Sequence, residues 1–323
     1  MTERNSTALR TTFALSAIFS AAVFWGGNAI ASKILYRPDA GFDAPALFVA
    51  RAAWSLPLFF LMAVLARPKA APTRREWLLL AGTGVAFGPG ACGFLALAAQ
   101  YTSGAHVVLL MGLTPAVTAV IGALALRERV DAIRIAALAV GIVGAVLLTA
   151  TRSATGSTVY GDLLELVQVL SYSTMFVLTR ALGKRFSAFF VSGTYGAVGM
   201  ALLALFGLFS GRLGASIALT LVPNPSTLWW FFGEIVIGLS IYGQTAQAFA
   251  LRYLPAGTTS IVSSYGTLVV GVIGALVLLN ERIAASGGIA GVLLAIALAL
   301  ALVPVRGKPN ETPADVRLLD GAQ

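Results

Sequence analysis

Few side chains in this sequence are equipped for chemistry, and their types and spacing argue against most enzymatic roles. The chain has one histidine, His106, and one cysteine, Cys92. A zinc or haem centre needs several His, Cys or carboxylate ligands at close spacing, so no metal or other cofactor is expected. A single cysteine also excludes an intrachain disulfide. No G-x-x-x-x-G-K-[S/T] string occurs, because Gly183-Lys184 and Gly307-Lys308 lack the rest of the loop. Without that phosphate cradle ATP hydrolysis has no footing. Ser103 and His106 could in principle form a nucleophile and base. Residues three apart at a helix start rarely aim at each other, and a serine nucleophile needs its base within hydrogen-bond reach. No catalytic residue is assigned, and the chain is read as a non-enzyme.

The remaining polar residues fall into helical stripes. Trp25, Asn28 and Ser32 share one face, as do Glu165, Gln168 and Tyr172, and again Ser240, Gln244 and Gln247. His106, Thr114, Tyr242, Ser263, Ser264 and Tyr265 add further hydroxyls and rings. A mixture of amides, hydroxyls and aromatic rings suits an amphoteric small solute, with amides on its polar groups and rings on its side chain. The competing reading is that Ser, Thr and Gln glue helices together. Candidate solute-binding residues are Trp25, Asn28, His106, Glu165, Gln168, Tyr172, Tyr242, Gln244, Ser263 and Tyr265. Gly88, Pro89 and Pro115 are candidate hinges.

Elements that hold such residues must lie in a membrane. Of 323 residues, 58% are hydrophobic and only 11% charged, and mean hydropathy is +0.87. A soluble domain carries roughly 25% charged residues, so a soluble enzyme and a nucleic-acid binder are both excluded despite a net charge of +9. Spanning helices need about 20 mostly apolar residues. Ten such windows are expected, at 13–35, 44–66, 77–99, 104–126, 133–150, 163–182, 186–210, 229–251, 257–279 and 284–305. Period-two alternation is missing, which favours helices over a barrel. Arg4 and Arg10 precede the apolar run from Phe13, read as an uncleaved first span. With the amino terminus inside, 16 Lys and Arg fall on inner segments and 5 on outer ones. That split obeys the positive-inside rule with both termini cytoplasmic. The predominance of Arg over Lys and the short loops are associated with a bacterial inner membrane.

Arg51, Glu165 and Glu234 lie several residues into spans that begin on the outer side. At about 1.5 Å per residue their backbones sit roughly 6–10 Å below that surface. Either they snorkel to headgroups, or they form a vestibule in which Arg51 pairs with an acid and Glu165 or Glu234 handles protons. Glu128 and Glu281 adjoin arginines at helix exits and are read as latches at helix ends.

The second half echoes the first. Val120-Ile121-Gly122-Ala123-Leu124 recurs 152 residues later as Val272-Ile273-Gly274-Ala275-Leu276. Glu128-Arg129 is matched by Glu281-Arg282 after one residue of slippage. Repeats of five spans each must be mutually inverted, the architecture of many alternating-access carriers. The expected organisation is a cytoplasmic tail 1–12, a five-helix repeat 13–150, an outer linker 151–162, a second repeat 163–305 and a cytoplasmic tail 306–323. A channel would need a continuous polar pore or a ring of subunits, and the stripes here are interrupted.

Trp25-Gly26-Gly27-Asn28 resembles the W-G-x-N signature of the drug/metabolite transporter superfamily, EamA-type. Arg51 and its apolar run resemble that family's second span, and Thr102-Ser103-Gly104-Ala105, Thr114-Pro115 and Glu128-Arg129 its fourth span and exit. Ala256-Gly257 and Glu281-Arg282 continue the resemblance over about 290 residues, but Tyr265-Gly266-Thr267 stands where the ninth span usually has proline. The resemblance implies ten helices and a central cavity lined by the first, third, fourth, sixth, eighth and ninth. It also implies export of amino acids or other small metabolites, or of drugs, with the lipid bilayer and the solute as partners.

Overall fold

Local signals in the sequence start most of the helices. In the computed structural model the chain is described except for residues 1–2, 127–131, 151–156, 183–184, 223, 255, 282–284 and 302–323, and except for some side chains within helices. Helix α1 spans Glu3–Leu35 and α2 spans Ala44–Leu65. Asp43 starts α2 by accepting from the amide of Ala46 at 2.7 Å, with Pro45 in the first turn, where its missing N–H costs nothing. Thr73 and Glu76 form a reciprocal capping box that opens α3, Arg74–Val85. The rod continues through a π-helical segment π1, Ala86–Gly93, into α4, Phe94–Tyr101. Ser103 caps α5, Gly104–Met111, and after a turn at residues 112–113 α6 runs over Thr114–Leu126.

Helix α7 covers Ala132–Ala150, and α8 covers Val159–Ala181 behind a Thr158 cap. Ser187 caps α9, Ala188–Phe209, and a shorter α10 follows at Leu213–Leu221. A turn at Pro225–Thr227, α11, leads into the second π-helical segment π2, Leu228–Gly243, and then α12, Gln244–Tyr253. The last helices are α13, Ala256–Leu278, and α14, Ala285–Ala301. No strand occurs among the described residues.

Among the described residues, six helices are long and apolar enough to cross a membrane: Leu9–Leu35, Ala44–Leu65, Arg74–Tyr101, Gly104–Ala125, Val159–Ala181 and Ala188–Phe209. The other four expected windows coincide with α7, with π2 and α12, with α13 and with α14. The periphery is as apolar as the core, since Phe209 is 86% exposed and Leu65 77%. Such a belt is stable only against lipid or another apolar surface. The chain is therefore a multi-pass membrane protein.

The helices pack in reciprocal pairs. α2 lies on α9, α7 lies on α14, α1 lies against π2, α12 and α13, and α8 lies against α3, π1, α4, α5 and α6. Between them Phe59, Phe87 and Tyr195 meet edge to face at 5.9 and 5.6 Å, all fully buried.

Three boundaries differ from the sequence expectation. α1 starts at Glu3 rather than after a tail of twelve residues, because nothing in residues 3–12 breaks a helix. α8 begins at Val159, four residues earlier than expected, because Thr158 supplies the cap inside the presumed linker. The 211–228 connection holds α10, which buries Ser216 and Thr220 and packs on α2, with the Trp54 indole N–H donating to Thr220 Oγ1 at 3.0 Å. The expected tail 306–323 lies outside the described residues.

Close approach of π1 and α9 depends on Gly88 and Gly199, each of whose backbones fills the place a side chain would take on the other. Gly88→Val should therefore destabilise the protein by about 1–3 kcal/mol, the usual range for overpacking. Gly214→Ala, at a position with nothing within 4 Å, should be silent. Detergent melting curves of the two variants check this.

Candidate functional site

The two irregular rods shape the centre of the molecule. In π1 the i→i+5 bonding pattern brings Phe87, Ala91 and Cys92 to one side, and all three face a cavity of about 30 Å³. That is room for about one or two water molecules, so the central space is nearly closed in this conformation. α1 contributes Trp25 and Asn28, α4 Leu95, and α5 Met111. α8 contributes Gln168 and Tyr172, π2 Leu239, and α12 Gln244. Arg51 enters from α2. A second space of about 10 Å³ shares Asn28, Arg51, Cys92 and Leu95 and reaches Ser32 and Phe48.

The walls are held by a polar lattice. The Tyr172 hydroxyl donates to Gln247 Oε1 at 3.2 Å, and the Tyr195 hydroxyl donates to Gln244 Oε1 at 3.2 Å. Trp25 stands edge-on to Tyr172 with ring centroids 5.9 Å apart. Trp25 Nε1 and Gln168 Oε1 are buried with no hydrogen-bond partner among the described residues. A buried amide or indole N–H without a partner is costly, so both are poised to bond whatever enters.

Five of the ten expected solute-binding residues are therefore separable from the rest. Trp25, Asn28, Gln168, Tyr172 and Gln244 line the cavity together. Glu165 is fully buried one turn from Gln168, does not line the cavity, and has both carboxyl oxygens without a partner among the described residues. His106 also lies off the cavity: its Nδ1 is 3.1 Å from both oxygens of Asp162, which also accepts from Thr102. Tyr242 points outward, 41% exposed, with its hydroxyl on Ser20 and its ring on Phe24. Ser263 is spent on the carbonyl of Ser260 at 2.8 Å. The side chain of Tyr265 lies outside the described residues.

The hinge and charge candidates also find places. Gly88 and Pro89 lie in π1, and Pro115 sits in the first turn of α6 just after the break at residues 112–113. Glu234 is buried, with its carboxyl group over Gly27 and Oε1 unpartnered. Arg51 is buried and pairs with no acid among the described residues. It is 5% exposed and donates from Nε to Ser240 Oγ at 2.8 Å, because the helix neighbours at that depth are hydroxyls and rings. Glu281 bridges to the start of α5, accepting from the amides of Gly104 and Ala105 at 2.8 Å each. Glu128 lies outside the described residues.

Sequence reasoning missed Asp162 and the apolar wall of Phe87, Leu95, Met111 and Leu239. Apolar letters in an apolar span carry no signal of facing inward. Asp162, in the first turn of α8, was legible as a helix-start acid. The Ser103–His106 pairing of a hydrolase has no geometry, since Ser103 Oγ accepts from the backbone amide of His106 at 3.2 Å while the ring turns to Asp162.

Residues 12–150 match the family model described as the EamA-like transporter family. Over that segment, less than half of its length, the chain is similar to the EamA-like transporter family. No curated protein sequence matches it. One solved structure, described only as a crystal structure of a protein, is similar with a TM-score of 0.62 at 21% identity. The match covers 94% of this chain and 99% of that one, a likeness of fold alone. The EamA-like family is one of transporters, not of enzymes, and a small-molecule solute and the lipid around the helices are the partners it implies.

If the cavity is where the chain holds a solute, Gln168→Ala, Tyr172→Ala and Gln244→Ala should each reduce transport at least about tenfold, or roughly 1.4 kcal/mol. Size-exclusion profiles should stay unchanged. Tyr242→Phe, on the outer surface, should transport like the parent. Equal rates in all four variants would remove the cavity as the site.

Proposed function

We propose that this protein is a secondary transporter that exports amino acids or similar small metabolites across the inner membrane by alternating access. It is built from ten membrane-crossing helices, as two inverted five-helix repeats over 13–150 and 163–305, with both termini in the cytoplasm. The observation that carries this reading is the reciprocity of packing around a central cavity. α1 meets the rods π2–α12 and α13, and α8 meets α3–π1–α4 and α5–α6. Exchanging the first repeat for the second turns one set of neighbours into the other. α2 with α9 and α7 with α14 are pairs of corresponding helices. The two π segments support it too, since each falls within the third long rod of its repeat.

A site between inverted halves can face either side in turn as the halves rock. Each end of the molecule carries contacts that such rocking would break. At one end Tyr36 donates to the carbonyl of Ala96 at 2.7 Å, Gln100 accepts from the amide of Ala44 at 2.9 Å, and Glu281 holds α5. At the other end Arg185 pairs with Glu76 at 2.7 Å, and Arg180 reaches the carbonyl of Leu251 at 3.0 Å. On the orientation read from Lys and Arg, the first end is external and the second cytoplasmic.

Two measurements test the reading. Single cysteines at Arg129 and Arg282, in a Cys92→Ser background, should be labelled by an impermeant maleimide from opposite sides; labelling from one side only would end the inverted-repeat proposal. Proteoliposomes preloaded with a labelled amino acid should show saturable counterflow, which a channel lacks. If Glu165 carries a coupling proton, Glu165→Gln should flatten the pH dependence of transport. An unaltered pH profile would leave facilitated diffusion.

A further inference from the structure

We infer that Arg51 is the anchor for a carboxylate, and that the transported solute is a small monocarboxylate with an apolar tail. This deepens the transporter reading and rests on it. Arg51 is buried at the junction of the two central spaces and lines both. Its Nε is tied to Ser240 Oγ at 2.8 Å, and that hydroxyl in turn donates to the carbonyl of Ile235 at 2.8 Å. The serine is thus fixed by π2 and fixes the guanidinium. The plane lies 5.8 Å from the ring of Phe87, which steadies it further without neutralising it.

A guanidinium has five N–H donors, is always charged, and presents its terminal pair as a fork that fits a carboxylate bidentately. Only Nε is engaged in a hydrogen bond among the described residues. Neither space is lined by an aspartate or glutamate. The ion pairs of the described residues lie elsewhere, between His106 and Asp162, Arg185 and Glu76, and Arg212 and Asp43. A charge buried in this way needs a counter-charge, which none of the described residues supplies.

The rest of the cavity defines the solute's other end. Gln168 Oε1 and Trp25 Nε1, both buried and unpartnered, offer one acceptor and one donor. Leu95, Met111 and Leu239 present only hydrocarbon and thioether. A second acid on the solute would meet no cation in the lining, where Arg51 is the one charged residue. The chemistry fits one carboxylate, a polar substituent and an apolar tail.

Matched acid and amide probes test this with the intact purified protein. L-leucine and 4-methylpentanoate should raise its melting temperature, whereas leucinamide and 4-methylpentanamide should need at least about tenfold higher concentration for the same shift. In Arg51→Gln the preference for acid over amide should collapse to within about twofold, and in Arg51→Lys, which keeps the charge but loses the fork, it should fall in between. Ser240→Ala, which frees the guanidinium while sparing the cavity, should weaken the acid preference and keeps the test decisive should the Arg51 variants not fold. Equal response to acid and amide in the parent overturns the inference, as does no response to either acid, or an undiminished preference in the Arg51 or Ser240 variants. Counterflow of an uncharged solute by the same preparation would leave the transporter reading standing while this inference fails.

Discussion

Polar groups inside a bilayer have no water to fall back on, and the arrangement of this protein follows from how each one is satisfied. Most are absorbed locally: Ser192 bonds the carbonyl of Ala188, Thr83 that of Leu79, and Thr174 that of Leu170. Others join helices, as Tyr172 does with Gln247 and Tyr195 with Gln244. Some are left over. Among these, Trp25, Gln168 and Arg51 retain bonding capacity and face the same cavity, whereas Glu165 and Glu234 lie away from it.

That centre depends on glycine and on irregular helices elsewhere. Gly88 and Gly199 let two rods touch along their backbones, and π1, which contains Gly88, then turns Phe87 and Cys92 inward. Arg51 would be a liability in this setting without Ser240, and Ser240 is oriented by a backbone carbonyl of π2. The site is thus assembled through long-range pairs that join residues from the two halves of the chain. A reciprocal arrangement of helices makes such pairs natural, because the seam between halves passes through the cavity.

Much of the architecture was legible in the sequence, and for identifiable reasons. Helix starts were visible wherever a short polar residue preceded an apolar run, as at Asp43, Ser103 and Ser187. The stripe of Trp25, Asn28 and Ser32 could be read because 3.6-residue periodicity holds through α1 and all three border the central spaces. Tyr242, named for its ring and not for a place in a stripe, lies inside π2 and points outward. For Arg51, depth from the helix start suggested contact with headgroups, but α9 and π2 pack over α2 and close that route. His106 was read as a helix-start residue that could reach the solute; the acid that claims it is 56 positions away in sequence. Pairings of that kind leave no local trace.

The π-bonded stretches carry a mechanical implication. Bonds of the i→i+5 type wind more residues into each turn than α-helical ones, so such a segment stores length that an α-helix would release. π2 ends at Gly243, against the indole nitrogen of Trp25, immediately before Gln244. Tightening π2 by even one bond would act as a screw, rotating the rod below it and swinging the Gln244 amide around the axis. A rod of this type can redirect a side chain within the lipid core as it changes length.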